Sequence, residues 1–313
     1  MDEVPRGVGR TALATAWIRA RASRRPDRLF DDWLAQLFVD AAGDAVPVVP
    51  PDADDQLRMW ARTLMTYLDV RTRFFDDELG AAVAAGCRQV VVLAAGLDTR
   101  AFRLPWPDGT LLFEVDRPDM LSFKERVLAS TSFRPRCERH PVVADLTEDW
   151  VDRLLRAGLR PSLPTAWLAE GILVYLEAAQ AERLLTNVTD LSAPSSRFAL
   201  EDATGLSKEL LDEVRRIPPM GEFADLWHGG LQGESAAWLG DHGWRGHETT
   251  FTRAADRLGR RPDQSMPVEG SFVTAQRTGP SEPAGVTRAT APRHAGATES
   301  NRLNGRRPTA TTG

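Results

Sequence analysis

The sequence contains little cysteine. Cys87 and Cys137 are its only two cysteines among 313 residues. Two thiols cannot build a disulfide framework, and neither lies at a metal-ligand spacing. The five histidines are scattered, and His242 and His247 lack the spacing of a zinc-binding helix. We therefore expect neither a disulfide scaffold nor a metal site.

A large excess of basic charge is also missing. Lysine and arginine number 39 against 44 aspartates and glutamates, for a net charge of -5. No basic stripe with interleaved aromatic residues occurs, so nucleic acid is not expected as a partner. The longest apolar run, 90–97, is too short to span a bilayer, and the acidic N-terminus is unlike a secretory signal. A cytoplasmic protein without membrane association is expected.

Hydrophobic periodicity organises the chain into a helical part followed by an alternating part. Residues 9–25 and 54–85 have apolar side chains at three- and four-residue spacing, which predicts helices. Because both precede the first strand, residues 1–85 are predicted to form an N-terminal helical cap. Residues 86–277 alternate between strand and helix patterns, which is typical of a doubly wound α/β sheet.

The elements of this alternating part can be placed individually. Strands are predicted at 89–94, 110–115, 141–144, 164–169, 196–201, 244–250 and 271–275, with helices at 118–130, 148–157, 177–192, 206–216 and 235–241. A glycine- and proline-rich insert near 217–235 is expected to cover a substrate pocket. Residues 278–313 contain too few apolar side chains to offset the entropy of ordering, so a disordered tail is predicted.

The first strand and its turn carry the strongest indication of a ligand. The run from Val90 to Leu93 is uniformly apolar, as expected of a strand that helices cover on both faces. Small residues follow up to Gly96, and they allow a ligand to approach the backbone closely. Asp116 ends the second strand twenty residues later, the spacing at which an acid binds ribose hydroxyls in nucleotide-binding α/β folds. This pattern predicts an adenosine-containing cofactor.

Structural alternatives exist for these residues. Gly96 also suits an ordinary strand-to-helix turn, and its segment is not the full G-x-G-x-x-G dinucleotide fingerprint. Asp116 is also positioned to cap a helix that begins at Pro118. Glu114 points to the same face of the strand and is a neighbouring candidate.

Two further acids follow later strands. Asp145, with Leu146 beside it, comes after an apolar pair in VVADLTEDW. An acid here can accept a hydrogen bond from the amine of adenine, and Thr147 already supplies a helix cap. Asp145 therefore has no obvious structural task. Glu170 ends the fourth strand, where an ionisable group is costly without a partner and is typical of a functional site.

Two arginines lie late in the long helix before the sheet, in VRTRFFDD. The guanidinium of Arg71 or Arg73 can bind a carboxylate through paired hydrogen bonds. The alternative is an exposed helix face on which these arginines pair with Asp76, Asp77 or solvent.

Taken together, these segments resemble the S-adenosyl-L-methionine-dependent methyltransferases of the leucine carboxyl methyltransferase type, in particular their large bacterial branch. The resemblance covers roughly residues 10 to 277, through VRTRFFDD, VVLAAGLDTRAFRL, WPDGTLLFEVD, ADLTEDW, WLAEGILVYL and SFVTAQR. It implies a class I methyltransferase fold: a Rossmann-like, doubly wound sheet of seven strands, the last antiparallel, with an N-terminal helical cap.

The resemblance also implies a set of residues that bind S-adenosyl-L-methionine. By motif position they are Arg71 for the cofactor's carboxylate, Gly96 for its methionine portion, Asp116 for the ribose, Asp145 and Leu146 for the adenine, and Glu170 near the methionine end. Arg73 replaces Arg71 if the first motif is shifted. The shortened N-terminal segment departs from the family pattern and affects the cap, and with it the choice of substrate.

The implied reaction transfers a methyl group to an unidentified small-molecule acceptor, at an oxygen of a carboxyl or hydroxyl group. Alignment of the reacting atoms contributes about 7–11 kcal/mol, so no general base is obligatory and no catalytic residue is assigned. Two alternatives stay open. One is a non-catalytic protein that binds S-adenosyl-L-methionine, and the other is an NAD(P)-dependent oxidoreductase. The second shares the glycine turn and the ribose acid but lacks a third glycine.

Overall fold

Seven strands form one sheet at the centre of the computed structural model of the protein, which describes residues 4–5, 7–47, 49–50, 52–202, 215, 224–260 and 270–279. The strands are β1 Gln89–Leu93, β2 Leu111–Asp116, β3 Glu138–Val143, β4 Thr165–Ala169, β5 Arg197–Asp202, β6 Trp244–Thr250 and β7 Ser271–Arg277. Their order is β3-β2-β1-β4-β5-β7-β6. Strands β1 to β5 pair in parallel, whereas β7 is antiparallel to both β5 and β6. The predicted seven-stranded class I fold is confirmed.

Helices connect the strands and cover both faces of the sheet. They are α1 Val8–Ser23, α2 Ala35–Ala42, α3 Asp55–Ala84, α4 Arg100–Arg103, α5 Pro118–Ala129, α6 Val151–Arg156, α7 Ala178–Asp190, α8 Ser235–Asp241 and α9 Phe251–Arg257, with single 3₁₀ turns at Gly43–Ala45 and Leu173–Tyr175. In the described part of the chain, no helix combines the length and the apolar character needed to cross a membrane. All of these elements belong to one compact unit.

Strand β1 shows why the central strands are apolar throughout. Val90 and Val92 point into a core that α1, α2, α3, α5 and α9 complete. Val91 and Leu93 point into a second core, completed by α6, α7 and α8. Both faces of the strand are buried, so the usual alternation of apolar and polar residues is absent.

Several elements differ from the prediction. Helix α2 was not predicted, since eight residues contain too few turns for a clear periodicity. Strand β3 begins at Glu138, three residues before its predicted start. It lies at the edge of the sheet, and its first three residues, Glu138 to His140, are polar, which hides the strand pattern. Except for residue 215, the predicted helix 206–216 lies outside the described residues, as do residues 217–223 of the insert and the tail from 280 onward.

Helix α3 is the longest element and buries an acid that the site does not use. Asp54 caps its start by accepting a hydrogen bond from the backbone N–H of Leu57 at 2.8 Å. Further along, Asp69 is 3% exposed, with Oδ2 3.2 Å from Nη1 of Arg25. Its Oδ1 has no hydrogen-bond partner among the described residues. Burial raises the pKa of Asp69 to about 6, against the opposing charges of Arg25 and Arg260.

Replacement of Asp69 with asparagine is expected to stabilise the protein at pH 7 by up to about 3 kcal/mol, since one pKa unit corresponds to about 1.4 kcal/mol. The carboxyl group binds its proton more tightly in the folded than in the unfolded chain. Its stabilising contribution is therefore present below pH 4 and is lost as the pH rises to about 6. Denaturant unfolding of D69N and the wild type at pH 4 and pH 7 measures this difference.

The control is the exposed Asp31, which pairs with Arg28 at 3.8 Å. D31N is expected to change the free energy of unfolding by less than about 0.5 kcal/mol at either pH. A D69N protein that is less stable than the wild type at pH 7 would contradict the prediction.

Candidate active site

A cavity of about 400 Å³ lies at the carboxyl ends of the parallel strands. The chain reverses its direction across the sheet between β1 and β4, and α/β folds bind ligands at such a switch point. The turn after β1, the ends of β2, β4 and β5, and residues of α1 and α3 line it. Its size is within the range of roughly 300–1,000 Å³ that holds small molecules and cofactors.

The turn after β1 brings Gly96 against Asp116. Gly96 has a φ of 48°, in the region that glycine adopts most readily. Its backbone N–H donates to Oδ2 of Asp116 at 2.5 Å, and the other carboxylate oxygen accepts from the N–H of Arg117 at 2.7 Å. Burial raises the pKa of Asp116 although these hydrogen bonds oppose the shift. Asp116 does not cap α5, since the capping position is Arg117, so that structural alternative is wrong.

Helix α1 lies over this turn. A Cβ atom placed on Gly96 would contact the side chain of Ala12 at 3.4 Å. Nη2 of Arg19 donates to the carbonyl oxygen of Leu97 at 2.6 Å, and its Nε donates to Asp32 at 2.7 Å. Helix α1 is thereby fixed against the glycine turn.

Glu170 lies at the end of β4 between two arginines. Its Oε1 is 2.9 Å from Nε of Arg71, and its Oε2 is 2.8 Å from Nη1 of Arg100. Burial acts to raise the pKa of Glu170, but the charges of the two arginines outweigh it and the pKa is lowered. This acid is therefore held in its ionised form, with both of its oxygens engaged.

Glu201 lies beside Glu170 because of the strand register. Ala169 of β4 is opposite Leu200 of β5, so the two glutamates follow on neighbouring strands. Arg71 neutralises both, since its Nη1 donates to Oε2 of Glu201 at 2.8 Å. The hydroxyl of Tyr67, one turn earlier on α3, donates to the other oxygen of Glu201. Sequence reasoning missed Glu201, although it ends an apolar strand in the same way as Glu170.

Gly171 makes room for this arrangement. Its φ is +68°, and a Cβ atom there would lie 3.3 Å from Nη1 of Arg71 and 3.5 Å from Oε2 of Glu201. A side chain at this position would therefore be strained and would press on the ion pair.

Arg100 connects Glu170 to further acids. Its Nε donates to Asp76 at 2.8 Å, and its Nη1 contacts Asp98. Arg103 also binds Asp76, with Nη2 at 2.7 Å. Burial opposes ionisation of Asp98, but nearby cations, above all Arg100, lower its pKa to about 2. We call the connected set the arginine–carboxylate network: Arg71, Arg100, Arg103, Asp76, Asp98, Glu170 and Glu201.

The structure brings four of the six predicted cofactor residues to this cavity: Arg71, Gly96, Asp116 and Glu170. Asp145 and Leu146 follow β3 and are not among the described residues that line it. Oδ1 of Asp145 accepts hydrogen bonds from the N–H and the hydroxyl of Thr147, at 2.8 and 2.7 Å. Asp145 therefore has a structural task, contrary to the prediction. This turn also delays the start of α6 to Val151, and Leu146 packs into the core on the α6 side.

Arg73 lies away from the cavity. Its Nε donates to Asp77 at 2.9 Å, and the side chain of Arg73 is 42% exposed. The exposed-face alternative is therefore observed for Arg73 and not for Arg71. Tyr175, which follows Glu170 by five residues, does line the cavity.

This fold and the position of its cavity define a class I methyltransferase. The family model of leucine carboxyl methyltransferase matches residues 12–189. The chain is 69% identical over 271 residues to a candidate S-adenosyl-L-methionine-dependent methyltransferase of Parafrankia sp. (strain EAN1pec), with 87% of each protein covered. It is 47% identical over 282 residues to another from Frankia alni, which covers 88% of this chain and 96% of that relative.

A solved structure shares the fold. It is a DUF574 family protein from Streptomyces avermitilis, with a TM-score of 0.51 and 17% sequence identity over 84% of this chain and 97% of that one. The chain belongs to the leucine carboxyl methyltransferase family, and it is an S-adenosyl-L-methionine-dependent methyltransferase.

Proposed function

We propose that the protein methylates an oxygen atom of a small molecule, and that Arg71, Gly96, Asp116, Asp145, Leu146 and Glu170 bind the cofactor. The observation that carries this proposal is the convergence of Gly96, Asp116 and Glu170 on one cavity at the switch point of the sheet. Residues 1–85 act as the cap in this proposal, since α1 and α3 line the same cavity. The insert near 217–235 contributes Trp227.

The order of the strands supports a direction for the cofactor. Asp145 follows β3, Asp116 ends β2, Gly96 follows β1 and Glu170 follows β4, and these four strands are consecutive in the sheet. Neighbouring strands lie about 4.8 Å apart, so β3 and β4 are separated by about 14 Å. Adenine at Asp145, ribose at Asp116 and the methionine portion at Glu170 then extend along one edge.

The charge of the site supports a cationic cofactor. The arginine–carboxylate network has three arginines and four carboxylates, so its formal charge is -1 (three minus four). S-adenosyl-L-methionine has a sulfonium, an ammonium and a carboxylate group, for a net charge of +1. In this arrangement Glu170 faces the cationic groups, and Arg71 faces the carboxylate. The pyrophosphate of a nicotinamide dinucleotide would instead be repelled.

The chain's own residues have a positioning role in the reaction. When bound, S-adenosyl-L-methionine supplies a methyl group that its sulfonium already activates. Residues of helices α1 and α3 line the cavity beside the strand ends and can position the acceptor there. Alignment of the acceptor with the methyl group contributes about 7–11 kcal/mol, which is enough that an obligatory base is not required.

The cofactor assignment is tested by calorimetric titration of the full chain with S-adenosyl-L-methionine. The intact protein is expected to bind with a micromolar dissociation constant. Asp116→Ala removes two charge-assisted hydrogen bonds to the ribose hydroxyls and is expected to weaken binding about 100-fold. Asp119→Ala, an exposed acid three residues later, is the matched control and is expected to leave the affinity unchanged within about twofold.

Absence of binding by the intact, folded chain would contradict the proposal, as would equal losses in the two variants. Tighter binding of NADH than of S-adenosyl-L-methionine would favour the oxidoreductase alternative. Tight cofactor binding without turnover on any acceptor would favour the non-catalytic one.

A further inference from the structure

We propose that the acceptor is an uncharged, largely apolar molecule whose hydroxyl group binds to Glu201 beside Tyr67. This inference rests on the proposed function, because it concerns the acceptor side of the same cavity. It selects the hydroxyl over the carboxyl group, and it assigns two residues that sequence reasoning did not identify.

Glu201 is placed where the acceptor must lie. The proposed cofactor residues occupy the ends of β3, β2, β1 and β4, with the methionine portion at β4. Strand β5 is the next strand in the sheet, and Glu201 is near its carboxyl end. An in-line attack approaches the methyl carbon opposite its bond to sulfur. Because the proposed cofactor residues occupy β3, β2, β1 and β4, the neighbouring strand β5 is the side of the cavity left for the acceptor.

Glu201 can accept one more hydrogen bond in the cavity. One of its oxygens accepts from Tyr67 and the other from Arg71. A carboxylate has about four acceptor positions, so each oxygen keeps one after these contacts. The side chain is 14% exposed and lines the cavity. A hydroxyl group can donate to one of these oxygens, whereas an ionised carboxylate cannot donate and is repelled by the net negative charge of the arginine–carboxylate network.

The face of helix α3 that lines the cavity is polar near Glu201 and apolar farther along the helix. Leu57, Trp60, Leu64, Tyr67 and Arg71 follow at three- and four-residue spacing, so they form one stripe along the cavity. The stripe is charged at Arg71 and apolar from Leu64 back to Leu57.

The length of this stripe sets the size of the acceptor. A helix rises about 1.5 Å per residue, which places Trp60 about 10 Å from Tyr67 along the axis. Trp17 of α1 and Val49, which precedes α3, also line the cavity and add apolar surface to it. A molecule of two fused rings matches that distance.

The proposed reaction transfers the methyl group from sulfur to the hydroxyl oxygen of the acceptor. The hydroxyl oxygen forms a bond to the methyl carbon, and the bond from that carbon to sulfur breaks with its electron pair left on sulfur. The hydroxyl proton passes to the carboxylate of Glu201. The products are the methyl ether and S-adenosylhomocysteine.

Two matched probes test this inference: 2-naphthol and 2-naphthoate, which share a ring system and differ in the polar group. Their binding to the full chain saturated with S-adenosylhomocysteine is measured by fluorescence titration. We expect 2-naphthol to bind at least about tenfold more tightly, because the carboxylate faces like charge. In Glu201→Gln this preference is expected to fall about tenfold or more, since the repulsion is gone while the side chain keeps its size.

Glu182→Gln is the matched control, because Glu182 is exposed on α7 and is not among the residues that line the cavity, and it is expected to keep the wild-type preference. Tyr67→Phe removes only the hydroxyl that holds one oxygen of Glu201 in place. The carboxylate is then less well oriented, so 2-naphthol binding is expected to weaken without loss of folding. Tighter binding of 2-naphthoate, binding of neither probe, or an unchanged preference in Glu201→Gln would overturn the inference. Failure of S-adenosylhomocysteine itself to bind would instead contradict the proposed function.

Discussion

Replacement of Arg100 with methionine is expected to lower the free energy of unfolding by about 3–5 kcal/mol, the usual loss when one partner of a buried ion pair is removed. The side chain of Arg100 is 4% exposed and neutralises three carboxylates, Asp76, Asp98 and Glu170. Without it, Asp98 loses its main partner, whereas Asp76 keeps Arg103 and Glu170 keeps Arg71. Denaturant unfolding at pH 7 measures the change.

The control for this prediction is Arg73→Met. Arg73 pairs with Asp77 on the surface, and its side chain is 42% exposed. Such a pair contributes less than about 1 kcal/mol, so this variant is expected to resemble the wild type. Arg100→Lys, which keeps the charge but loses the planar fork, is expected to fall between the two and to remain folded. Similar losses in the methionine variants at positions 73 and 100 would contradict the prediction.

Local patterns predicted the fold because the strands of this sheet carry their own signal. The apolar run from Val90 to Leu93, like the apolar runs of the other central strands, indicates that both faces of the strand are buried. Parallel strands joined by helical crossovers then allow only a few topologies. The same reasoning brought Gly96, Asp116 and Glu170 to one edge, since the carboxyl ends of parallel strands meet there. These predictions need no knowledge of which side chains touch.

Partner choice within the site was not predictable in this way. Arg71 contacts Glu170 and Glu201 because β4 and β5 pair in one particular register and because α3 docks against both. Neither the strand register nor the docking of α3 can be predicted from residues that are close in the sequence. Arg71 and Arg73 are equivalent in the local pattern, yet the first is buried in the network and the second is on the surface.

Asp145 shows that a local contact can also be assigned wrongly from the sequence. Sequence reasoning assigned the local cap to Thr147 and left Asp145 for the cofactor, but Asp145 itself accepts the hydrogen bonds of Thr147. Aspartate and threonine compete for the same turn geometry, and composition does not decide between them. Oδ1 makes both bonds to Thr147, so the proposed contact with adenine is assigned to Oδ2.

Arg71→Met is expected to make the stability of the protein fall more steeply with rising pH than that of the wild type. The change leaves Glu170 and Glu201 side by side on neighbouring strands, with Arg100 beside only one of them. Two adjacent carboxylates ionise together at a high cost, so the folded variant retains a proton that the unfolded chain releases. Stability is then greatest at low pH and is lost as the pH rises through the raised pKa of the pair. The expected loss is smallest near pH 5 and reaches about 3–5 kcal/mol at pH 8.

The double variant Arg71→Met, Glu201→Gln separates charge from packing in this experiment. It removes one of the two carboxylates, so the pH dependence beyond that of the wild type is expected to disappear, while any loss of packing from the arginine stem remains. Unfolding of both variants and the wild type, without cofactor, at several values between pH 5 and pH 8 gives the comparison. A loss in Arg71→Met that is the same at every pH would show that the guanidinium acts by packing alone. A loss that grows with pH only in the single variant identifies Arg71 as the charge that allows two acids to share one edge of the cavity.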